Sequence, residues 1–230
     1  MNNLKTITVG DLHGLNKWQS INPADYDYII FIGDYMDSFT IQNVLMLENI
    51  MNILEFKKQY PDKVILLYGN HDIHYLYAES TDYRCTGYRP EIALTFKEIF
   101  IHYNSLFQIA FQHDNVLWTH AGVNSKWAKK YLVDVNILEY AEYLNSMMQD
   151  RISRDIIMEI GHRRGGFHDT GGPMWSDQKD NKRFPIDHLI QIYGHTAQDE
   201  IKIIKKKSYE LINVDCLEKT NKFYEHLLLI

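Results

Sequence analysis

Five times along the chain a short apolar run stops abruptly and hands over to a loop bearing Asp, Asn or His. Thr6-Ile7-Thr8-Val9 runs into Gly10-Asp11-Leu12-His13-Gly14, and Tyr28-Ile29-Ile30-Phe31-Ile32 into Gly33-Asp34-Tyr35-Met36-Asp37-Ser38. Val64-Ile65-Leu66-Leu67-Tyr68 leads to Gly69-Asn70-His71-Asp72, Val116-Leu117-Trp118 to Thr119-His120-Ala121-Gly122, and Leu189-Ile190-Gln191-Ile192-Tyr193 to Gly194-His195-Thr196. Runs this short and this rich in β-branched residues read as buried strands. In an open α/β sheet the ligand crevice lies beyond the carboxyl ends of the strands, which makes such loops natural places for chemistry. A single strand-end Asp is commonly a turn or cap residue, and a single His a satisfied side chain. Five such loops in succession are not explained by packing.

Carboxylate, imidazole and amide oxygen together suit borderline-to-hard divalent cations such as Mn, Fe, Zn or Ni. Asp11 and His13 are two residues apart, hence on one side of an extended segment, and can grip one cation together. Asn70, His120 and His195 can hold a second, with Asp34 as the bridge. The remaining histidines, His74, His102, His113, His162, His168, His188 and His226, are read as ordinary packed or solvated side chains.

The ordered set Gly-Asp-Leu-His-Gly, Gly-Asp-x-x-Asp, Gly-Asn-His-Asp, His-Ala-Gly and Gly-His, running from residue 10 to 196, resembles the calcineurin-like metallophosphoesterases. Within them it is most similar to the branch of the serine/threonine protein phosphatases and symmetrical dinucleoside tetraphosphatases. Position 197, where many other members carry a second His, is Ala197 here. The resemblance implies a four-layer α/β sandwich of two mixed sheets flanked by helices. It also implies two divalent metal ions, Mn the first choice in vitro, held by Asp11, His13, Asp34, Asn70, His120 and His195. His71 then matches the general acid and Asp37 the carboxylate that orients it. The implied reaction is hydrolysis of phosphomonoesters, on protein or small molecule, by attack of a metal-bridging hydroxide. A dinucleoside tetraphosphate hydrolase or other phosphodiesterase is the alternative, and a non-catalytic scaffold a third reading. One departure bears on substrate: in the protein phosphatases an Arg that clamps phosphate follows the second Asp of the central motif, and here Ser38-Phe39 stands there. Ser cannot replace a bidentate cation, so Arg84, Arg89, Arg163 or Arg164 is expected to supply that contact.

At 230 residues and 45% hydrophobic, the chain has enough material for one sizeable core and is read as a single domain over 1–230. A net charge of −6 argues against general attraction to nucleic acid or membrane. Cys85 and Cys216 belong to no spaced metal motif and read as free thiols. The first strand begins almost at once, without an apolar leader, and no segment has the length of a membrane span, so a soluble cytoplasmic protein is expected.

Between the motifs, residues 40–60 carry Ile41, Val44, Leu45, Leu47, Met51, Leu54 and Phe56 at helical spacing and end before Pro61. The aromatic stretch from His74 to Tyr88 is a candidate lid or substrate wall. Residues 91–104 read as a helix, and Leu106–Gln112 with Val116–Thr119 as paired strands. Residues 125–162 read as an inserted pair or trio of helices, followed by Gly161-His162-Arg163-Arg164-Gly165-Gly166 and by a Trp175-Ser176-Asp177 segment resembling one in the same branch. Ile201–Ile204, Tyr209–Val214 and Phe223–Leu229 read as strands of a second sheet, with Lys205-Lys206-Lys207 as a solvated turn.

Overall fold

All five apolar runs form strands, and each lies parallel to another of the five. In a computed structural model that describes residues 3–77 and 83–229, the chain divides into two compact units, Met1–Phe107 with Leu217–Ile230, and Gln108–Cys216. The first unit opens with β1 (Leu4–Val9), β2 (Tyr28–Phe31), α1 (Asn43–Gln59), β3 (Val64–Leu67), α2 (Asn70–Leu76) and α3 (Ala93–His102), and reaches the short β4 (Phe107–Gln108). The second unit contains β5 (Ala110–His113), β6 (Val116–Thr119), α4 (Ser125–Tyr131), α5 (Tyr140–Ser146), α6 (Arg151–Ile157), α7 (Gln178–Arg183), β7 (Ile190–Tyr193), β8 (Lys202–Lys205) and β9 (Glu210–Asn213). The chain then returns to the first unit with α8 (Leu217–Thr220) and β10 (Tyr224–Leu228).

Each sheet is mixed. The first has the order β10-β1-β2-β3-β4, with β1, β2 and β3 parallel and β10 antiparallel to β1. The second has the order β5-β6-β7-β9-β8, with β6, β7 and β9 parallel and β5 and β8 antiparallel at its edges. Parallel strands need both faces covered, and Ile29, Ile30, Phe31 and Leu67 in the first sheet and Leu117, Trp118 and Ile192 in the second are fully buried. This is the α/β class expected, with two mixed sheets.

Two expectations are corrected. Phe223–Leu229 does not join the second sheet: Leu4 pairs with Leu228 and Thr8 with Tyr224, placing β10 on the edge of the first. Alternation fixes which face of a strand is buried but not which neighbour it takes. Leu106–Gln112 is not one strand either; Phe107–Gln108 ends the first sheet and Ala110–His113 begins the second, so the chain changes sheet around Ile109.

Residues 125–162 contain the three short helices α4, α5 and α6. The first helix forms where the spacing placed it, but its buried residues are Met46, Asn49, Ile50, Ile53 and Leu54. Val44, Leu45 and Met51 face solvent. Asn49 is buried because its Oδ1 accepts from Trp18 Nε1 at 2.9 Å and its Nδ2 donates to Leu15 O at 3.1 Å. Among the described residues no helix is long and apolar enough to cross a membrane. Residues 78–82, the middle of the stretch read as a lid, lie outside the described residues.

Candidate active site

In the first unit the loops after β1 and β2 are stitched together by their own backbones. Leu12 and His13 donate to Asp34 O at 3.1 and 2.7 Å, and Gly14 donates to Tyr35 O at 3.0 Å. The loops after β2 and β3 approach so closely that only glycine fits at their crossing. A Cβ on Gly33 would lie 2.2 Å from Gly69 N, and one on Gly69 2.1 Å from Asp34 Oδ1. Asp72, fully buried, closes the crossing: Oδ2 accepts from Asp34 N at 2.8 Å and Gly69 N at 2.7 Å, and Oδ1 from Tyr35 N at 2.9 Å. Burial and the neighbouring Asp34 carboxylate push its pKa up against those three donors. Asp72 stood in the sequence motif without a role; it is the brace of this site.

That brace holds a candidate ligand group. Asp11, His13 and Asp34 each offer an atom within 4.8 Å of the others. His13 is fixed through Nδ1, 2.7 Å from Met36 O, and its Nε2 lies 3.8 Å from Asp34 Oδ2. A ring nitrogen tied to a carbonyl while the other faces carboxylates is how a metal-binding imidazole is oriented. The donor set of two carboxylates and one imidazole therefore fits a divalent cation. Asn70, fully buried, turns its Nδ2 onto Cys85 Sγ at 3.1 Å, which directs its amide oxygen the other way.

His71 is joined to both groups. Its backbone N–H donates to Asp34 Oδ1 at 3.0 Å, and its Nδ1 lies 2.8 Å from Asp37 Oδ2. Asp37, 1% exposed, is further surrounded by His74, whose Nε2 lies 2.8 Å from the same oxygen but off the line of a hydrogen bond, and by the Tyr75 hydroxyl, which donates to Oδ1. Burial alone would raise the Asp37 carboxyl, but the two imidazoles hold it below its usual range. Burial alone would lower His71; the carboxylates of Asp34 and Asp37 outweigh it and push the ring up to about 9 in the absence of cations. His74 moves the other way, down, because desolvation dominates. Sequence reasoning left His74 out. The missed signal was its position three residues after His71, which places both on one face once the loop turns into α2.

In the second unit β6 and β7 deliver His120 and His195. Gly194 N donates to His120 O at 2.7 Å, and His120 Nε2 stands 3.2 Å from His195 Nδ1, a separation suited to two ligands of one cation. Here the brace is neutral. Asn181 Nδ2 donates to Ala121 O at 2.9 Å, Ser176 Oγ to Asn181 Oδ1 at 2.6 Å, and Asn124 Nδ2 to Ser176 Oγ at 3.1 Å and Gly171 O at 3.0 Å. Trp175 sets its ring edge to face with His195, centroids 5.2 Å apart. His13, Asp34, Asp37 and His195 all adopt positive φ, between 42° and 66°. That half of the eight non-glycine residues in this conformation among the described residues are site candidates fits the concentration of backbone strain at functional positions.

The four arginines part company. Arg164 Nη2 donates to Thr196 Oγ1, directly after His195, and its Nε lies 3.1 Å from Asp177 Oδ2. Arg163 Nε is on Asp180 Oδ1 at 2.8 Å. Arg84 lies over the Tyr88 ring, 4.7 Å from its centroid. Arg89 spends its guanidinium on Ser38 O, Asn43 Oδ1 and Ile41 O, bracing the loop after Asp37.

Residues 4–199 match the calcineurin-like phosphoesterase family. Among solved structures, the chain is similar to a cold-active protein-tyrosine phosphatase of the psychrophile Shewanella sp., at 17% identity and TM-score 0.62, covering 97% of this chain and 75% of that one. It is also similar to a protein serine/threonine phosphatase from Saccharomyces cerevisiae with similarity to human phosphatase PP5, at 16% identity and TM-score 0.50, covering 95% and 69%.

Proposed function

The chain belongs to the calcineurin-like phosphoesterase family, and from that premise we propose that it hydrolyses phosphomonoesters with two divalent cations, for which Asp11, His13, Asp34, Asn70, His120 and His195 would be the ligands. The observation that carries this reading is His71: one residue gives its backbone to the candidate ligand Asp34 and its ring to the buried Asp37. When bound, such cations supply Lewis acidity and a water that ionises near neutral pH. The protein supplies the rest. The loop crossing at Gly33 and Gly69 fixes the ligand carboxylate against the proton donor, so the leaving oxygen meets His71 without a search through conformations. Asp37, held on both oxygens, keeps the His71 ring in the orientation that presents Nε2 to that oxygen and favours its protonated form. Arg164, beside the His195 loop, takes the place of the phosphate clamp missing at Ser38.

Purified protein assayed with Mn and p-nitrophenyl phosphate is expected to turn over, and a scaffold would be inert. In His71→Asn, kcat on an ester with a poor leaving group is expected to fall about 10²–10⁴-fold, with metal content unchanged. Loss of metal with retained activity on that ester would remove His71 from the role. A panel of phosphopeptides, p-nitrophenyl phosphate and a dinucleoside tetraphosphate separates monoester from dinucleotide chemistry.

A further inference from the structure

His71, His74 and Cys85 each offer a ligand atom, and the three atoms lie within 4.8 Å of one another. Hydrolysis as proposed needs only the first. His74 is fully buried and stands with Nε2 on Asp37 Oδ2 at 2.8 Å, while its Nδ1 faces Cys85, 3.2 Å from that residue's backbone nitrogen. A carboxylate beside one ring nitrogen fixes the plane of the imidazole, as it does in metal-binding histidines, while the other ring nitrogen meets the Cys85 backbone rather than its thiol. His71 is held on the same carboxylate through Nδ1, so one Asp orients both rings. The Cys85 sulfur also has a fixed place, 3.1 Å from Asn70 Nδ2.

Resting on the reading of His71 as proton donor, we propose that His71, His74 and Cys85 form a third, inhibitory site for a thiophilic divalent cation of the zinc type. Two imidazoles and a thiolate are a donor set that such cations take readily and that harder ions such as Mn do not favour. On uptake the sulfur–metal bond forms, the thiol proton leaves to solvent, and the long contact from Cys85 N–H to His74 Nδ1 gives way; no electrons are transferred. The His71 ring, committed to the cation, no longer delivers a proton to the leaving oxygen.

The experiment titrates the Mn-loaded protein with Cd as probe, following the ultraviolet thiolate-to-cadmium charge-transfer band and p-nitrophenyl phosphate hydrolysis together. Expected are a band that saturates at one equivalent and loss of activity over the same range, reversed by chelation and reloading with Mn. The chain has only two cysteines, Cys85 and Cys216, so the band is assigned by substitution. Cys216→Ser is expected to keep it, and Cys85→Ser to lose it and raise the half-inhibiting Cd concentration at least about tenfold. A wild type without the band, a band lost in Cys216→Ser, or equal sensitivity in Cys85→Ser would overturn the site. Cys216→Ser retains only Cys85 and decides the question even where Cys85→Ser does not fold. Absence of turnover with Mn alone would instead count against the proposed reaction, while the band still reads the site.

Discussion

In the first unit the loops after β2 and β3 hang on Asp72, whose carboxylate takes three backbone N–H groups; in the second, the loop after β6 hangs on Asn124, Ser176 and Asn181, none of them charged. Both solutions satisfy buried polar groups, as burial demands. They differ in what they cost without cations. Burial and the neighbouring Asp34 carboxylate both push Asp72 up, so the first unit holds two acidic groups at close quarters, a conflict that a cation would offset. The amide and hydroxyl network has no such conflict. Charge-assisted bonds are the stronger, and the difference between the units gives each a distinct response to mutation, pH and metal.

The largest contrast is expected from deleting the braces. Asp72→Ala leaves three backbone donors buried without an acceptor and is expected to lower the unfolding free energy by about 3–5 kcal/mol. Asn181→Ala strips the Ala121 carbonyl of its donor but lets Ser176 turn to Asn124, and is expected to cost about 1–2 kcal/mol. Urea titration of both variants checks the order; equal losses would erase the distinction between a charged and a neutral brace. A smaller effect follows from pH. In metal-stripped protein the Asp37 carboxyl lies below its ordinary value and His71 is pushed up to about 9. The carboxylate contributes stability above its unfolded pKa and loses it as pH falls through the lowered folded one. The imidazole contributes fully below its unfolded value of about 6.5 and loses it as pH rises towards about 9. Stripped protein should therefore show a Tm that declines across that alkaline window, and His71→Asn should flatten the decline. A decline unchanged in the variant would place its origin elsewhere.

Much of this was legible in the sequence because it is local. A strand ended by Gly and followed by Asp, Asn or His names its own loop, and all five loops sit at the ends of parallel strands. What escaped is long-range. The last strand reads the same whichever sheet it pairs with, and only the Leu4–Leu228 register decides it. Asp72 looks like any strand-end carboxylate until the β2 loop, 38 residues earlier, turns its N–H groups onto it. Asn181 lies in a polar helix where nothing in the pattern announces contact with Ala121, 60 residues away. His74 was hidden by reading the Asn70 motif as loop and His74 onward as a lid or substrate wall; the helix Asn70–Leu76 brings it beside His71.

The proposed reaction stands on Asp34 as a ligand without which no cation is retained. Its most direct test is the number of Mn ions bound per chain, measured by elemental analysis of wild type, His195→Ala and Asp34→Ala. Two, one and none are expected in that order; a wild type that binds a single ion, or an Asp34→Ala protein that still binds two, would contradict the account.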